Sequence, residues 1–421
     1  MSGIVILLSV FVLYALIASR LERLSITAPM VFVVAGVVLG ERATNELHVS
    51  LTSEPVLVIV ELTLALLLFA DASTVRLREV EGDARLPARL LLIGLPLTIV
   101  LGTLIAVLLF PSAGWATAAL IASILAPTDS ALGLAIFTNR AVPVRIRRAL
   151  NVESGLNDGI VTPFVTLFLT LVVSEEGGGH SRWLVEAGKE IGLALLVAVG
   201  VGVVGGMLLR YTHRRGFTSE VSEQLAIVSL ALLAYLGSVA LGGNGFIAAF
   251  AGGLTFGATT RGSLHQPTEF TETVGLFASF FVWTVFGALF VGPVLTTRID
   301  TTAIVYAVLS LTLVRIVPVA ISLRGIGLRG DTVAFMGWFG PRGLASVVFT
   351  LVAVETLQHA GAPFDALVEV ATWTVLLSVM AHGLTAGPLA RVYGRRMQGV
   401  EDVPELSDAP EPRRRRQLGA A

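Results

Sequence analysis

Residues 115–137 read WATAALIASILAPTDSALGLAIF, an apolar stretch of membrane-spanning length broken in its middle by Ala126-Pro127-Thr128-Asp129. Proline removes a backbone donor and disfavours helix at the residue before it, so one continuous helix cannot run through this stretch. In mid-bilayer a break of this kind leaves carbonyls and half-helix ends exposed, which is tolerated only where they line a cavity or face protein. A second apolar stretch, 332–354, carries its own break at Phe339-Gly340-Pro341-Arg342-Gly343. An ordinary kink would not call for an acid at one interruption and a base at the other.

The rest of the chain has the composition that a membrane reading requires. Of 421 residues, 54% are apolar and 14% charged, against about 25% charged in soluble domains. Windows of about 20 apolar residues number thirteen, from 3–18 to 366–390, with 115–137 the fifth and 332–354 the twelfth. If the first six spans and the last six are two halves joined by the seventh, the breaks occupy the fifth span of each half and the halves are inverted. Paired interruptions in corresponding spans point to a binding site at the midplane. The expected fold is therefore an all-α polytopic membrane protein of about 13 helices, with inverted repeats and two crossed discontinuous helices. Met1 to Gly3 lacks a basic flank, so the first stretch reads as a retained helix and not as a signal peptide.

Sorting the basic residues by loop tests the span count. The loops after odd-numbered spans together with the C-terminal segment hold 23 of the 29, the other loops hold 4, and Arg315 and Arg342 fall inside spans. By the positive-inside rule the N-terminus is expected outside and the C-terminus in the cytoplasm of a cell bounded by an inner (plasma) membrane. Residues 1–396 read as the membrane domain and 397–421, with its run Arg413 to Arg416, as a disordered cytoplasmic tail. Gly177 to Gly179 read as a flexible external turn. A net charge of -1 offers no basic face for nucleic acid. With no cysteine in the chain, disulfides, thiolate metal sites and a cysteine nucleophile are excluded.

Ionisable groups at membrane depth are costly and functional by default, and here they are Glu61, Asp71, Asp129, Glu153, Asp158, Arg315 and Arg342. The sixth span opens with Glu153-Ser154-Gly155-Leu156-Asn157-Asp158-Gly159. On a helix Ser154 and Asp158 share a face, and Glu153 and Asn157 form a second i,i+4 pair beside it. The strip offers a carboxylate, a hydroxyl and an amide oxygen, hard ligands suited to an alkali cation. A carboxylate that is expensive to leave charged lets proton and cation compete for it, which is the chemistry of exchange.

At this point the sequence resembles the monovalent cation:proton antiporters, specifically the electroneutral sodium/proton exchanger branch. The likeness rests on Glu-Ser-x-x-Asn-Asp-Gly at 153–159, Pro-Thr-Asp at 127–129, Leu-Phe-Ala-Asp-Ala at 68–72 and Gly-Pro-Arg-Gly at 340–343. The resemblance implies that Asp158 binds the cation (Na+) or the proton, with Asp129, Thr128 and Ser154 completing the coordination shell and Asp71 facing the ion path. It implies that Asn157 is the neutral member of the pair that marks the electroneutral branch, and that Glu153 and Arg342 form a buried ion pair supporting the core. It further implies a scaffold of spans within 3–71 and 190–291, which also makes a homodimer interface, and a core within 89–173 and 302–390 that moves past it. The expected activity is one-for-one exchange of a monovalent cation, most simply sodium, for a proton, serving pH homeostasis without any cofactor or enzymatic step. Ser130, where a proline often stands, and Gly340-Pro341 before Arg342 depart from the family pattern.

A potassium/proton antiporter of the same fold is the nearest alternative and a cation channel a more distant one, because charges gathered at one locus do not form rings along a pore. An intramembrane hydrolase lacks its signatures, since neither His-Glu-x-x-His nor Gly-x-Ser-x-Gly occurs. Arg315 reads as a residue that caps or snorkels toward the end of its span, and Glu61 as an acid satisfied by a neighbour or touching the ion path. His382 reads as a satisfied core histidine in preference to a pH sensor.

Overall fold

A computed structural model describes residues 2–41, 43–44, 53–74, 85–129, 131–176, 183–260, 264–297, 300–401 and 403–407. The described residues form helices and no strand. Nine of these helices are long and apolar enough to cross a membrane: α1 (Ser2–Arg23), α3 (Glu54–Thr74), α4 (Arg85–Leu109), α7 (Val144–Glu176), α8 (Trp183–Arg214), α9 (Glu220–Ala240), α11 (His265–Phe286, continuing through Gly292–Thr296), α12 (Thr301–Ser322) and α15 (Asp365–Met397). Two shorter apolar helices, α2 (Ala28–Leu39) and α10 (Gly245–Thr260), complete the unbroken passages. Two interrupted pairs remain: α5 (Gly114–Ile124) with α6 (Leu134–Phe137), and α13 (Gly330–Trp338) with α14 (Leu344–Ala360). Thirteen passages result, broken where the two proline motifs predict.

The helices sort into two packed groups. In one, α1–α3 lie against α8–α11; in the other, α4–α7 lie against α12–α15; α3 and α10 meet α7 and α14 between them. Without a hydrophobic drive between helices in lipid, close approach depends on small residues. Gly36 of α2 shows this: a Cβ there would lie 2.0 Å from the Thr284 carbonyl oxygen, so α2 and α11 touch backbone to backbone. Phe32 stacks on Phe280 at 4.4 Å across the same seam. Away from these seams α1 turns Val5, Val12, Leu13 and Leu16 outward, as a lipid-facing surface should.

Past α15 the chain folds back on the arginine-rich side. Pro404–Leu406 form a short helical turn in which Glu405 is wholly buried. Its Oε1 accepts the Arg329 N–H at 2.8 Å and the Thr332 hydroxyl at 2.7 Å, and Arg145 donates to the Pro404 carbonyl at 2.6 Å. The expectation of a solvated tail from 397 onward therefore fails over 403–407, because one carboxylate finds a hydroxyl and an amide donor and is drawn into the protein. The run Arg413 to Arg416 and the glycines 177–179 lie outside the described residues.

Candidate functional site

Where α5 ends at Ile124, Pro127 cannot supply the amide that would continue it, and the chain runs irregularly to α6. Where α13 ends at Trp338, Pro341 has the same effect, and α14 begins at Leu344. The two irregular segments meet. The Asp129 N–H donates to the Pro341 carbonyl at 2.7 Å, and the Ser346 hydroxyl donates to the Ile124 carbonyl at 2.8 Å.

Each break caps the other's helix ends. Asp129 Oδ2 accepts the Leu344 N–H at 2.8 Å, the first amide of α14, while its Oδ1 accepts from Ala131 N at 2.6 Å and Leu132 N at 3.2 Å. A carboxylate at a helix N-terminus meets unpaired amides and the positive end of the dipole. In return the Arg342 guanidinium donates to the carbonyls of Ala126 and Pro127, just past the negative end of α5. Gly343 permits the approach, since a Cβ there would lie 1.9 Å from Asp129 Oδ2.

The α7 strip lies against this crossing. Thr128 and Ser154 hydroxyls are 3.0 Å apart, and Asn157 Nδ2 donates to Thr128 Oγ1 at 2.6 Å. Thr128, Ser154 and Asn157 are buried, and the Asn157 Oδ1 makes no hydrogen bond among the described residues. Asp158, Asp129 and Asp71 are half-buried and line one cavity of about 670 Å³. The cavity's far lining includes Arg23, Asn139 and Arg391, so it opens toward the arginine-rich side of the protein. The structure thus brings together Thr128, Ser154 and Asn157 by hydrogen bonds, sets Asp129 and Asp158 in the lining of one cavity, and stations Asp71, in the same lining, near the end of α3. Ser130 lies outside the described residues.

One expected pairing is corrected. Glu153 does not pair with Arg342; it is bound by Arg315 of α12, with Nη1–Oε1 2.5 Å and Nη2–Oε2 2.9 Å, and both side chains are about 95% buried. Arg342 gives its Nη1 to the carbonyls of the fifth span, and its Nε and Nη2 make no hydrogen bond, to Glu153 or to any other group among the described residues. Arg315 runs beneath Gly340, where a Cβ would lie 2.3 Å from its Nε. The reading of Arg315 as a snorkelling residue is therefore overturned as well. No signal in the sequence marks which arginine reaches Glu153, because the partners of Arg342 are backbone carbonyls and not a second acid. Glu61 lies nearer the opposite end of α3 from Asp71, beside Tyr235 of α9 and with Glu355 of α14 close by. That is the satisfied-acid reading; Glu61 does not line the cavity.

The family model described as "Sodium/hydrogen exchanger, transmembrane" matches residues 6–392. Among curated proteins the chain is 25% identical over 387 residues to the K(+)/H(+) antiporter NhaP2 of Shewanella oneidensis, covering 90% of this chain and 65% of that protein. It is 25% identical over 346 residues to the Na(+)/H(+) antiporter ApNhaP of Aphanothece halophytica, covering 78% of this chain and 63% of that protein. The chain thus spans just under two thirds of the length of these relatives. Among solved structures, the sodium proton antiporter MjNhaP1 from Methanocaldococcus jannaschii at pH 8 superposes with a TM-score of 0.73 at 21% identity, covering 92% of this chain and 98% of that one.

Proposed function

The chain belongs to the transmembrane sodium/hydrogen exchanger family, and on that premise we propose that it exchanges a monovalent cation, sodium first, for a proton at Asp158, one for one and without net charge movement. The observation that carries the proposal is the division of charge around the crossing. Asp129 is engaged by the amides that open α14 and those after the fifth-span break, Arg342 by carbonyls of the fifth span, and Glu153 by Arg315. Asp158 is the carboxylate of α7 that faces the cavity. In this reading a dehydrating cation is held by Asp158 with oxygens of Thr128, Ser154 and Asp129. Asp129 uses three of the about four lone-pair sites of a carboxylate on amides, which leaves room for one further contact. A proton and a cation compete for Asp158, so each loading state excludes the other and the loaded site carries the same charge in both directions. The helices α4–α7 and α12–α15 would form the moving core, carrying Asp158 past α1–α3 and α8–α11 so that it meets one side at a time.

In proteoliposomes loaded with a pH dye, an inward sodium gradient is expected to drive saturable proton efflux. The gradient that just balances a fixed pH difference should not move when a permeant anion imposes about 100 mV, a voltage that would shift an electrogenic cycle by about 2.3 kcal/mol per charge. A balance point that follows voltage would show that a second proton travels. Because a relative is named for potassium and oxygen ligands alone do not choose between the ions, the same vesicles tested with potassium and lithium decide the cargo. Uncoupled cation flux with no proton counterflow would turn the reading toward a channel.

For orientation we propose N-terminus outside and C-terminus inside, so that the cavity faces the cytoplasm. The support is the basic side on which the cavity opens. A reporter active only in the cytoplasm, fused after Arg416, should be active, and a tag before Ser2 should be reached from outside in intact cells. The opposite pattern would invert the transport cycle as described.

A further inference from the structure

His382 of α15 is 1% exposed and stands beside the break in the twelfth passage. Its Nε2 is 2.9 Å from the Trp338 carbonyl oxygen, and its Nδ1 is 3.2 Å from the Ser378 hydroxyl and 3.0 Å from the Ser378 carbonyl. The Ser378 hydroxyl accepts the Arg342 N–H at 2.6 Å. For the neutral ring, with Trp338 the one partner of Nε2, donor and acceptor capacity sets the directions. A carbonyl only accepts, so Nε2 carries the ring proton and donates to Trp338. The Ser378 oxygen, already accepting from an amide, gives its own hydrogen to Nδ1. A relay runs from Arg342 N–H through Ser378 and His382 to Trp338 C=O.

Residues 338 and 342 are four apart, so in an unbroken helix the Arg342 N–H would bond the Trp338 carbonyl directly. The serine and the imidazole are inserted into that one missing hydrogen bond. The second lone pair of the Trp338 oxygen takes the Gly340 N–H at 3.0 Å. We propose that Ser378 and His382 are positioning residues for exchange: a three-bond bridge from α15 holds the twelfth passage open, and so sets where Arg342 and the Asp129-capped start of α14 stand relative to Asp158. The bridge uses the neutral Nε2–H tautomer. A second proton on Nδ1 would exchange the bond from the Ser378 hydroxyl for one to the Ser378 carbonyl 3.0 Å away and so cut the bridge, and the charged groups that bear on the ring are the cations Arg342 and Arg315, with the rings of Trp338 and Phe339 packed beside it. In this proposal His382 acts through geometry, in its neutral form.

The inference rests on the exchange reading for its flux assay, and a wild-type protein without exchange would sink that reading alone. In vesicles His382→Ala and Ser378→Ala should each raise the apparent KM for the cation or lower turnover about tenfold, the scale of one lost buried hydrogen-bond partner. The double variant should be no worse than the poorer single, because both act on one relay. In His382→Gln the side-chain amide can donate to Trp338 in place of Nε2, so this variant should recover most of the turnover with the wild-type pH midpoint. Nitrogen-15 NMR of histidine-labelled protein, with His382→Gln to assign the signal, reads the tautomer without any flux and decides the matter if the alanine variants do not fold. It should show a neutral Nε2–H ring across the pH range in which exchange is measured. Wild-type kinetics in both alanine variants, a displaced pH midpoint in His382→Gln, or a ring that becomes charged across that range would each overturn the proposal.

Discussion

Asp158→Asn is expected to purify and melt like the wild type yet exchange less than about a tenth as fast, a loss on the order of 1.4 kcal/mol or more. The amide keeps the size and hydrogen-bonding capacity of the side chain, so the neighbouring Thr128–Ser154–Asn157 cluster has no reason to rearrange. It cannot trade a proton for a cation. Asp129→Asn makes the contrast: its new NH2 would point a donor at Leu344 N–H, or at those of Ala131 and Leu132, so it should lose thermal stability together with exchange. Flux in proteoliposomes and melting in detergent, measured on the same preparations, separate the two. Exchange by Asp158→Asn above that tenth would mean another carboxylate carries the proton, with Asp71 of the same cavity first in line.

The largest loss of stability is expected from Arg315→Ala, about 3–5 kcal/mol, because Glu153 would remain buried at 3% exposure without its bidentate partner. Replacing both residues by leucine should recover most of that loss, since a buried ion pair is often no more stable than apolar groups of similar volume. Arg342→Ala should destabilise through a different route, by leaving the Ala126 and Pro127 carbonyls bare at the end of α5. Combined with Glu153→Leu it should add, whereas Arg315→Leu combined with Glu153→Leu should couple. Denaturation of the single and double variants in detergent reads both. Coupling of Glu153 to Arg342 in place of Arg315 would reinstate the pairing that the sequence suggests.

What is legible in the sequence is what is local. Thirteen passages follow from runs of apolar residues, and both breaks follow from Pro127 and Pro341, because proline acts on its own backbone and the one before it. The i,i+4 strip from Glu153 to Asp158 is equally local. What escaped depends on which residues meet across 70 or more positions. Glu153 and Arg315 are 162 apart, and nothing in either neighbourhood distinguishes Arg315 from Arg342 as the partner. Asp129 could be read as an acid at a break but not as the cap of another helix, since capping requires knowing which helix end arrives beside it. The segment around Glu405 shows the limit of composition: prolines and acids suggested solvent, and one amide and one hydroxyl were enough to bury the carboxylate.

The reciprocal capping has a consequence for how the chain is made. Asp129 and Leu344 are 215 residues apart, and Ala126 and Arg342 are 216. A ribosome adding about 5–20 residues per second needs on the order of 10–40 s to cover that distance. For that interval the fifth passage is already synthesised, while the helix that Asp129 will cap and the guanidinium that will cover its carbonyls have not yet been translated. Backbone groups left bare in hydrocarbon cost several kcal/mol each, so the nascent half-molecule has to keep its broken span sheltered by the insertion machinery or by water at the bilayer edge. A chain stalled before Thr301 is a membrane protein with its crossing half built, its fifth-passage break lacking both the helix and the guanidinium that complete it.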